Sequence, residues 1–318
     1  MTAKNSIRQN AYALVSRHIG GDRVRVQRMI SAQFGGYRGL PRHAGDYFFS
    51  KNGKMIRASL ALLLAKECGA INQRVCRFAA AVELIHAASL IHDDIIDGEA
   101  LRRGRATLNK KWNNKVALLF GDLVFVKAFG LFNSLEHQKI NKKLLAAVDE
   151  MCVAQLVESE RRFDLSMTPD AYLGIAGGKT AALFELCGFG ALALSDADAA
   201  AGASVGRSIG MAFQLLDDAD DIGANDLTEG YFTYPLLHTL RHCGAADKRA
   251  LRKRLRPGIT ADERDEVKNI IVRTGGLTAG NERAAGYLDK AQSELKRAGL
   301  ASTALFSLID ELRARSGV

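Results

Sequence analysis

Proline is scarce in this sequence of 318 residues. Only four prolines occur, at positions 41, 169, 235 and 257. Because proline ends or kinks a helix, most of the chain is free of helix breakers. Runs of alternating β-branched residues, which are typical of strands, are also few. These two shortages argue against a sheet protein and favour long helices.

Cysteine pairs are missing as well. The five cysteines are scattered, odd in number and without CxxC spacing, so they indicate neither a disulfide framework nor a zinc site. The N-terminus has no continuous apolar stretch of the kind found in signal peptides. No uninterrupted apolar run has membrane-spanning length. We therefore expect a cytoplasmic protein with reduced cysteines and no transmembrane segment.

Acidic residues are outnumbered by basic ones. The 44 lysines and arginines against 35 aspartates and glutamates give a net charge of +9, which favours anionic ligands or membrane surfaces. Nucleic acid is not an expected partner, because zinc-ligand pairs and stretches of interleaved aromatic and basic residues are both missing.

Segments rich in alanine and leucine dominate what the sequence does contain. In ASLALLLAKECGA and VALLFGDLVFVKAFGLFNSL, apolar residues recur at spacings of three and four. With 47% hydrophobic residues the chain can bury a sizeable core. We predict roughly ten or more helices, several of them longer than about 20 residues, in an all-α bundle. This bundle is expected to form one domain over residues 1–318, with the charged stretch 245–275 as peripheral helices.

One helical segment carries more charge than a buried helix tolerates. LIHDDIIDGEALRRG, residues 90–104, places Asp93, Asp94 and Asp97 at spacings that share a helix face. Carboxylates at such spacings repel by about 0.2–0.5 kcal/mol on an exposed helix, and burial raises the cost unless a cation neutralises them. The pattern therefore predicts a divalent metal ion at this face.

The pattern recurs in FQLLDDADDIG, which contains Gln214, Asp217, Asp218 and Asp221. Carboxylate oxygens suit Mg²⁺, which keeps several waters and is commonly completed by substrate phosphate oxygens. One such motif alone is more often a solvated acidic helix face. Two copies in hydrophobic helices instead favour a diphosphate held through metal ions, with the two helices facing each other across the bundle.

Five segments between about residue 45 and residue 240 resemble, in order, the motifs of the long-chain trans-prenyl diphosphate synthases. They are GKMIRASL, LIHDDIIDGEALRRG, GDLVFVKAF, GGKTAALFE and FQLLDDADD. The two aspartate motifs, with RRG after the first, are the specific part of this resemblance. It implies a single large helical bundle of the isoprenoid synthase type with a central active-site cavity.

The resemblance also implies a reaction. Isopentenyl diphosphate would condense head to tail with an allylic diphosphate, farnesyl or geranyl diphosphate, to an all-trans polyprenyl diphosphate. About three Mg²⁺ ions, present with bound diphosphate, would draw the leaving group from the allylic substrate and stabilise its charge. The implied metal ligands are Asp93, Asp94, Asp97, Asp217, Asp218 and Asp221.

Two further sets of residues match the family. The resemblance implies catalytic and allylic-site roles for Arg102, Lys179, Thr180 and Gln214. The isopentenyl diphosphate site that it implies consists of Lys54, Arg57, His86 and Arg103. Arginine and lysine are the usual phosphate-binding side chains. Taken singly, Lys54 is equally well a solvated charge, and His86 a hydrogen-bonded core histidine.

Small residues precede the first aspartate motif by one helical turn. Ala88 and Ser89 leave room there for an apolar tunnel, whereas family members with short products tend to carry aromatics. We therefore predict a product of about six to eight isoprene units, about C30–C40. The prediction depends on the small residues that lie one turn, about 5.4 Å, before Asp93. Leu131 and Phe132 are candidates for a deeper floor of the tunnel.

Several alternatives stay open. A class I terpene cyclase shares the fold and Mg²⁺ but needs only one diphosphate site, whereas the basic residues suggest two. A non-catalytic or co-catalytic subunit of a heteromeric synthase is a further alternative. Intact aspartates weigh against a non-catalytic subunit, whereas the missing lysines described below weigh for it. Glu83 and His86 match half of a di-iron ExxH pair, but a second ExxH is missing. The GGKT segment lacks the upstream glycine and preceding strand of a phosphate loop.

Two small departures from the family pattern are expected to be tolerated. Ala58 stands where the family has proline, and Gln155 and Glu158 occur in exchanged order. A larger departure follows the second aspartate motif, where the loop is shorter than usual by about ten residues. Asn225 and Tyr231 stand where lysines are common, and residues 208–240 contain no lysine or arginine.

This missing charge leaves two outcomes. Either the metal ions, Arg102 and Lys179 hold the allylic diphosphate alone, which we favour, or a partner chain supplies a cation. The family resemblance implies a homodimer through helices near GDLVFVKAF, with a heteromer as the alternative. It is also compatible with contact between the protein and a membrane surface at product release.

Overall fold

The computed structural model describes residues 3–51, 53–69, 71–220, 222 and 225–316. The chain is 78% helical, which confirms the predicted all-α class. The long helices are α1 (Ala3–Ala32), α4 (Gln73–Ile96), α6 (Asn114–Asn133), α7 (Gln138–Glu160), α10 (Ala199–Asp220) and α15 (Gly276–Arg297). The shorter ones are α2 (Leu40–Phe49), α3 (Ile56–Glu67), α5 (Leu108–Lys111), α8 (Pro169–Ala176), α9 (Ala182–Ala193), α11 (Asn225–Glu229), α12 (Tyr234–His242), α13 (Ala245–Arg254), α14 (Ala261–Arg273) and α16 (Thr303–Ser316). A π-turn spans Gly177–Ala181, and two short strands are β1 (Leu101–Arg102) and β2 (Arg105–Ala106).

Side-chain caps determine where helices α4 and α8 begin. Asn72 accepts a hydrogen bond from the N–H of Val75 at the start of α4. Thr168 caps α8 in the same way through the N–H of Ala171. These caps satisfy N–H groups that have no partner within the helix, and each stabilises it by about 1 kcal/mol.

The chain forms two compact units. The first, which we call the N-unit, comprises Val15–Lys143 and Cys187–Gly202. The second, the C-unit, comprises Met1–Leu14, Leu144–Leu186 and Ala203–Val318. The first aspartate motif belongs to the N-unit and the second to the C-unit. A single domain over residues 1–318 stays a prediction.

Helix α4 packs along α6 in the N-unit, and glycines of α6 and α9 leave room for side chains of α4. A Cβ at Gly121 of α6 would lie 2.3 Å from Nε2 of His92, one residue before the first aspartate motif. A Cβ at Gly190 would lie 2.2 Å from the ring of Phe78. Both distances are too short for a side chain. The close packing therefore places the motif on a rigid, mostly buried helix.

Glycines likewise hold α10 close to the preceding segment in the C-unit. A Cβ at Gly210 would lie 2.6 Å from Cα of Ala181, and one at Gly206 would lie 2.1 Å from the carbonyl oxygen of Phe184. A larger residue at either position would displace backbone atoms. This approach brings α10, one turn before Gln214, against the end of the π-turn.

Helices α4 and α6 are long and apolar enough to span a membrane by length and composition alone. The apolar window of α4 is 67% buried within the protein and that of α6 is 33% buried. A core helix meets the same criterion, so this is weak evidence for a membrane span. The exposed apolar side chains of α6 are Leu118, Leu119, Val126 and Phe129.

Candidate active site

The first aspartate motif ends α4. Asp94 is only 3% exposed, Asp93 is half-buried, and Asp97 is exposed at the C-cap. Arg102 Nε donates a hydrogen bond to Asp94 Oδ1 over 2.6 Å. Burial raises the pKa of Asp94, and the Arg102 guanidinium opposes that shift. A cation bound beside Asp94 would therefore stabilise the charged form of its carboxyl group.

A tight hairpin returns Arg102 to this motif. Strands β1 and β2 are antiparallel and leave Arg103 and Gly104 as a two-residue turn. Both turn residues have positive φ, 53° and 74°, as in the type I′ turn that favours glycine. Asn109, just beyond β2, donates to the carbonyl of Asp94 over 3.0 Å. The RRG element is thus a structural turn as well as a predicted anion-binding element.

The residues predicted to bind isopentenyl diphosphate lie near one another in the N-unit. The Arg103 guanidinium packs over Gly53, where a Cβ would lie 2.5 Å from Nη2, and the exposed Lys54 follows directly. Arg57 is buried. The pKa of His86 is well below its usual value because of burial first, and because of Arg57 and Arg103 second. His86 is therefore neutral at pH 7 in a cationic neighbourhood.

A buried carboxyl group lies beside these cations. Glu83 Oε1 accepts a hydrogen bond from the N–H of Ala58 over 2.9 Å. Burial raises the pKa of Glu83, while Arg57 and Arg103 lower it. Proline has no N–H and could not donate this bond. The alanine in place of the family's proline is accommodated by Glu83.

The second aspartate motif is part of a hydrogen-bond chain in the C-unit. Thr180 Oγ1 donates to Gln214 Oε1 over 2.6 Å, and Gln214 Nε2 donates to Asp218 Oδ1 over 2.9 Å. The Tyr172 hydroxyl donates to Asp218 Oδ2. Burial raises the pKa of Asp218 to about 7, even though both hydrogen bonds lower it. The structure brings the predicted Thr180, Gln214 and Asp218 together and adds Tyr172, which the sequence analysis missed.

Lys179 projects from the π-turn, and its partner is Glu158. Lys179 Nζ donates to Glu158 Oε2, and the Glu158 side chain is 16% exposed. A Cβ at Gly178 would lie 2.8 Å from the carbonyl oxygen of Glu150, so glycine is required where the π-turn meets α7. Single π-turns inside helices occur frequently at functional sites. The exchanged order of Gln155 and Glu158 thus leaves a carboxylate beside the predicted catalytic lysine.

Arg315 of helix α16 forms ion pairs with the second aspartate motif. Arg315 in α16 donates to Asp217 and, over 2.8 Å, to Asp220, and its side chain is 10% exposed. Residues 208–240 contain no lysine or arginine, so this positive charge comes from a distant part of the sequence. The RAR sequence near the chain end was the available signal, but nothing local links it to Asp217. Asp221, a predicted metal ligand, lies outside the described residues.

Two cations lie near Tyr231, a position at which the resemblance implies lysine. The Arg162 guanidinium is 5.4 Å from the Tyr231 ring centroid, and Lys179 Nζ is 5.9 Å from it. Arg162 also donates to Glu229 over 2.7 Å. Distant parts of the C-unit therefore place positive charge beside the short loop. The side chain of Asn225 lies outside the described residues.

The aspartates fit a divalent metal ion by donor type. Among the described residues, no three His, Cys, Asp or Glu side chains are close enough to form a metal site by themselves. Asp94 and Asp218 are nonetheless buried carboxyl groups whose pKa is raised, and a cation bound to either would offset the cost of its charge. Mg²⁺ typically binds one or two carboxylates and completes its shell with waters and substrate phosphates.

The predicted chain-length residues lie in the N-unit at two levels of α4 and α6. Ala88 is fully buried, and Ser89 Oγ donates to the carbonyl of His86 over 2.9 Å. Phe132 is buried with its ring edge-on to Phe78, at a centroid distance of 5.6 Å. Leu131 is half-buried. Phe78 was not among the predicted residues, although it precedes Asp93 on the same helix by about 22 Å.

Comparison with known proteins gives a family and close relatives. A family model described as Polyprenyl synthetase matches residues 40–273. The chain is 33% identical over 283 residues to octaprenyl diphosphate synthase of Haemophilus influenzae, covering 85% of this chain and 86% of that protein. It is 28% identical over 295 residues to heptaprenyl diphosphate synthase component 2 of Geobacillus stearothermophilus, covering 88% and 89%.

A solved structure extends this likeness to the fold. It is the polyprenyl synthase from Caulobacter crescentus CB15 complexed with calcium and isoprenyl diphosphate. The TM-score is 0.88 at 28% identity, and the match covers 96% of this chain and 97% of that one. The predicted isoprenoid synthase type of helical fold is thereby confirmed.

Proposed function

Because the chain belongs to the polyprenyl synthetase family and is a prenyltransferase, we propose that it condenses isopentenyl diphosphate with an allylic diphosphate. The product is a medium- to long-chain all-trans polyprenyl diphosphate. The observation that carries this proposal is that each of the two aspartate motifs contains one buried carboxyl group, Asp94 or Asp218, whose pKa is raised by burial. A length of about six to eight units agrees with the small residue Ala88 before Asp93.

The aspartates and Arg102 would bind the allylic diphosphate in this proposal. Asp93, Asp94 and Asp97 in the N-unit, with Asp217, Asp218 and Asp221 in the C-unit, are the assigned metal ligands. Bound Mg²⁺ would supply Lewis-acid chemistry to the departing diphosphate. Arg102 is held on Asp94, so its remaining N–H groups are oriented to donate to phosphate oxygens.

Lys179, Thr180 and Gln214 of the C-unit would have the catalytic and allylic-site roles that the resemblance implies. Gln214 has a fixed amide orientation, because its oxygen accepts from Thr180 and its nitrogen donates to Asp218. Lys179 contributes positive charge near the developing negative charge of the leaving group. The Thr180 hydroxyl oxygen has a lone pair available to stabilise the allylic cation.

The isopentenyl diphosphate would bind to the cations around His86. Lys54, Arg57 and Arg103 supply positive charge for a diphosphate. His86 is neutral, so it donates one hydrogen bond without adding to the repulsion among these cations. This second cation set also argues against a terpene cyclase, which needs only one diphosphate site.

A heteromeric synthase is the second candidate. The relative from Geobacillus stearothermophilus is described as component 2 of a heptaprenyl diphosphate synthase. This chain already has a cation near each of two residues of this region. Arg162 lies near Tyr231 and Arg315 near Asp217, which argues against a need for a partner's cation. We therefore favour an enzyme that is active as a homodimer. The exposed apolar side chains of α6 provide a suitable surface for that dimer. A cytoplasmic location stays a prediction.

The test is product analysis with the purified single protein. Labelled isopentenyl diphosphate and Mg²⁺ are incubated with geranyl or farnesyl diphosphate, and the products are sized. We expect products of about six to eight units from at least one primer, and loss of turnover by several orders of magnitude in Asp93→Ala and Asp218→Ala. Full activity in EDTA would refute the assignment. Turnover that appears only after a second polypeptide is added would favour the heteromer.

A further inference from the structure

A cavity of about 140 Å³ lies within the C-unit, where residues 165–169 meet α12 and α13. Its apolar lining includes Leu237, and its charged lining consists of Arg241, Lys248 and Arg252. A water molecule needs roughly 10–15 Å³ of such space, so the cavity has room for a tetrahedral anion. None of these residues belongs to the transferase site proposed above.

The three cavity cations differ from other basic residues of the same region. The ion pairs of those other residues are Arg254 with Glu266, Arg256 with Glu263, and Arg273 with Asp247. Within the part of the chain that the structure describes, Arg241, Lys248 and Arg252 have no such carboxylate partner. Glu266, Glu263 and Asp247 are thus paired with other arginines, and the lining of the cavity itself contains three basic side chains and no acidic one.

Polar groups at the start of α8 extend the lining. Ser166 and Thr168 line the cavity, and Thr168 is the N-cap of α8, whose first turn carries positive partial charge. Asp164 accepts hydrogen bonds from Ser166 and from Arg161, the latter over 2.8 Å, so its charge is balanced. Asp170 in the first turn of α8 is exposed and does not line the cavity.

The chemistry of the lining selects a multiply charged oxyanion. Lys248 and Arg252 are four residues apart and project from the same face of α13. Like charges at this spacing repel, and an anion between them removes that repulsion. Arginine binds phosphate oxygens in a bidentate manner, and lysine binds them as a point charge.

We propose that this cavity binds a phosphate group, carried either by the headgroup of an anionic lipid or by free phosphate or diphosphate. The two sources present the same phosphate oxygens to Arg241, Lys248 and Arg252. The binding is independent of the aspartate motifs and of the transferase reaction, so either can fail without the other.

The test compares two double variants of the full chain. Lys248→Gln with Arg252→Gln removes two cavity cations. Arg249→Gln with Lys253→Gln removes the same charge at the same spacing from α13, but neither of these side chains lines the cavity. Any difference between the variants therefore reports the cavity and not the net charge of the protein.

Two arms distinguish the sources, both at about 0.15 M salt, where exposed charges more than roughly 8 Å apart are largely screened. In one arm, binding of inorganic diphosphate is measured by titration calorimetry in EDTA, with Lys54→Gln and Arg103→Gln present in every protein compared, so that the site proposed for isopentenyl diphosphate does not contribute. In the other, the protein is sedimented with phosphatidylcholine vesicles that contain phosphatidic acid, with pure phosphatidylcholine as the blank. Circular dichroism and thermal unfolding check that both variants fold.

The cavity variant is expected to bind about tenfold more weakly than wild type in at least one arm, while the control stays within about twofold. A loss confined to vesicles identifies the lipid headgroup, and a loss confined to calorimetry identifies the free anion. A loss in both arms identifies the phosphate group whatever carries it. Any other pattern, including equal binding by the two variants, overturns the proposal. Turnover with soluble substrates is expected to be unchanged in both variants.

Discussion

Asp218 is a buried carboxyl group whose acidity depends on its surroundings. Its pKa is raised from 3.8 to about 7, with burial as the main cause. The folded protein therefore binds this proton more tightly than the unfolded chain does. Below about pH 4 the group is protonated in both states, so its ionisation costs the fold nothing. Between about pH 4 and pH 7 the cost grows, because the unfolded chain releases the proton first.

This difference predicts how stability varies with pH in EDTA. The free energy of unfolding of the wild type should fall as the pH rises from about 4 to 8, with a contribution of up to about 4 kcal/mol from Asp218. Asp218→Asn removes the titrating group, so the variant should have a flatter profile. Urea unfolding at a series of pH values measures both curves, and parallel profiles would contradict the shifted pKa.

Arg315 pairs with Asp217 and Asp220, two carboxylates of the second aspartate motif. Arg315→Gln should free these carboxylates, so the affinity for Mn²⁺, used as a spectroscopic substitute for Mg²⁺, should rise several-fold. The free energy of unfolding without metal should fall by about 1–2 kcal/mol, because the variant leaves two carboxylates without their cation. Paramagnetic resonance titration of the substrate-free protein reports the affinity.

Arg313→Gln on the same helix is the matched control. Arg313 pairs with Asp289 over 2.7 Å, and its loss removes the same charge. Mn²⁺ affinity should not change in this control. An equal change in the two variants would mean that Arg315 acts through net charge alone.

The π-turn is an element whose shape depends on one glycine. At Gly178 a Cβ would lie 2.7 Å from Cβ of Ala154 and 2.8 Å from the carbonyl oxygen of Glu150. Gly178→Ala should therefore displace Lys179 and Thr180, lowering turnover and costing about 1–3 kcal/mol of stability. Gly174→Ala in α8 meets no atom within 4 Å and should be neutral or slightly stabilising. Steady-state kinetics and thermal unfolding compare the two, and similar kinetics would refute the role of the turn.

The length of α4 between Ala88 and Phe78 is expected to set product size. Ala88→Phe places an aromatic ring one turn before Asp93 and should shorten the product to about three or four isoprene units. Phe78→Ala opens the opposite end, where Phe132 packs, and should lengthen it. Chromatography of the products measures both changes. Unchanged product size in both variants would show that the chain does not grow along α4.

At the scale of the whole molecule, the two units each carry one aspartate motif. If both motifs act in one step of one reaction, Asp93→Ala and Asp218→Ala should each lower turnover by several orders of magnitude. The double variant should then be hardly worse than either single one, since residues that act as a unit are not additive. Turnover measured under saturating Mg²⁺ tests this, and strictly multiplicative losses would indicate two independent roles.

The sequence by itself determined the helical class and the positions of both aspartate motifs, whereas the phosphate-binding roles of the basic residues stay predictions. Scarce proline and apolar spacings of three and four are local properties, and a helix follows from them directly. The family resemblance implied a role for Arg102 at the allylic site, and its contact with Asp94 is local in sequence, since a short turn joins residues only eight positions apart. The family resemblance supplied the reaction, which composition and periodicity do not contain.

Only the tertiary structure decided the partners that come from distant parts of the chain. Tyr172 meets Asp218 across 46 residues, and Arg315 meets Asp217 across 98. Neither pair has a periodic signal, because helix periodicity relates residues three or four apart and is silent about which helices pack together. The raised pKa of Asp218 could likewise be known only from the tertiary structure. Its cause is burial, and burial depends on every helix that packs around Asp218 and on no single stretch of sequence.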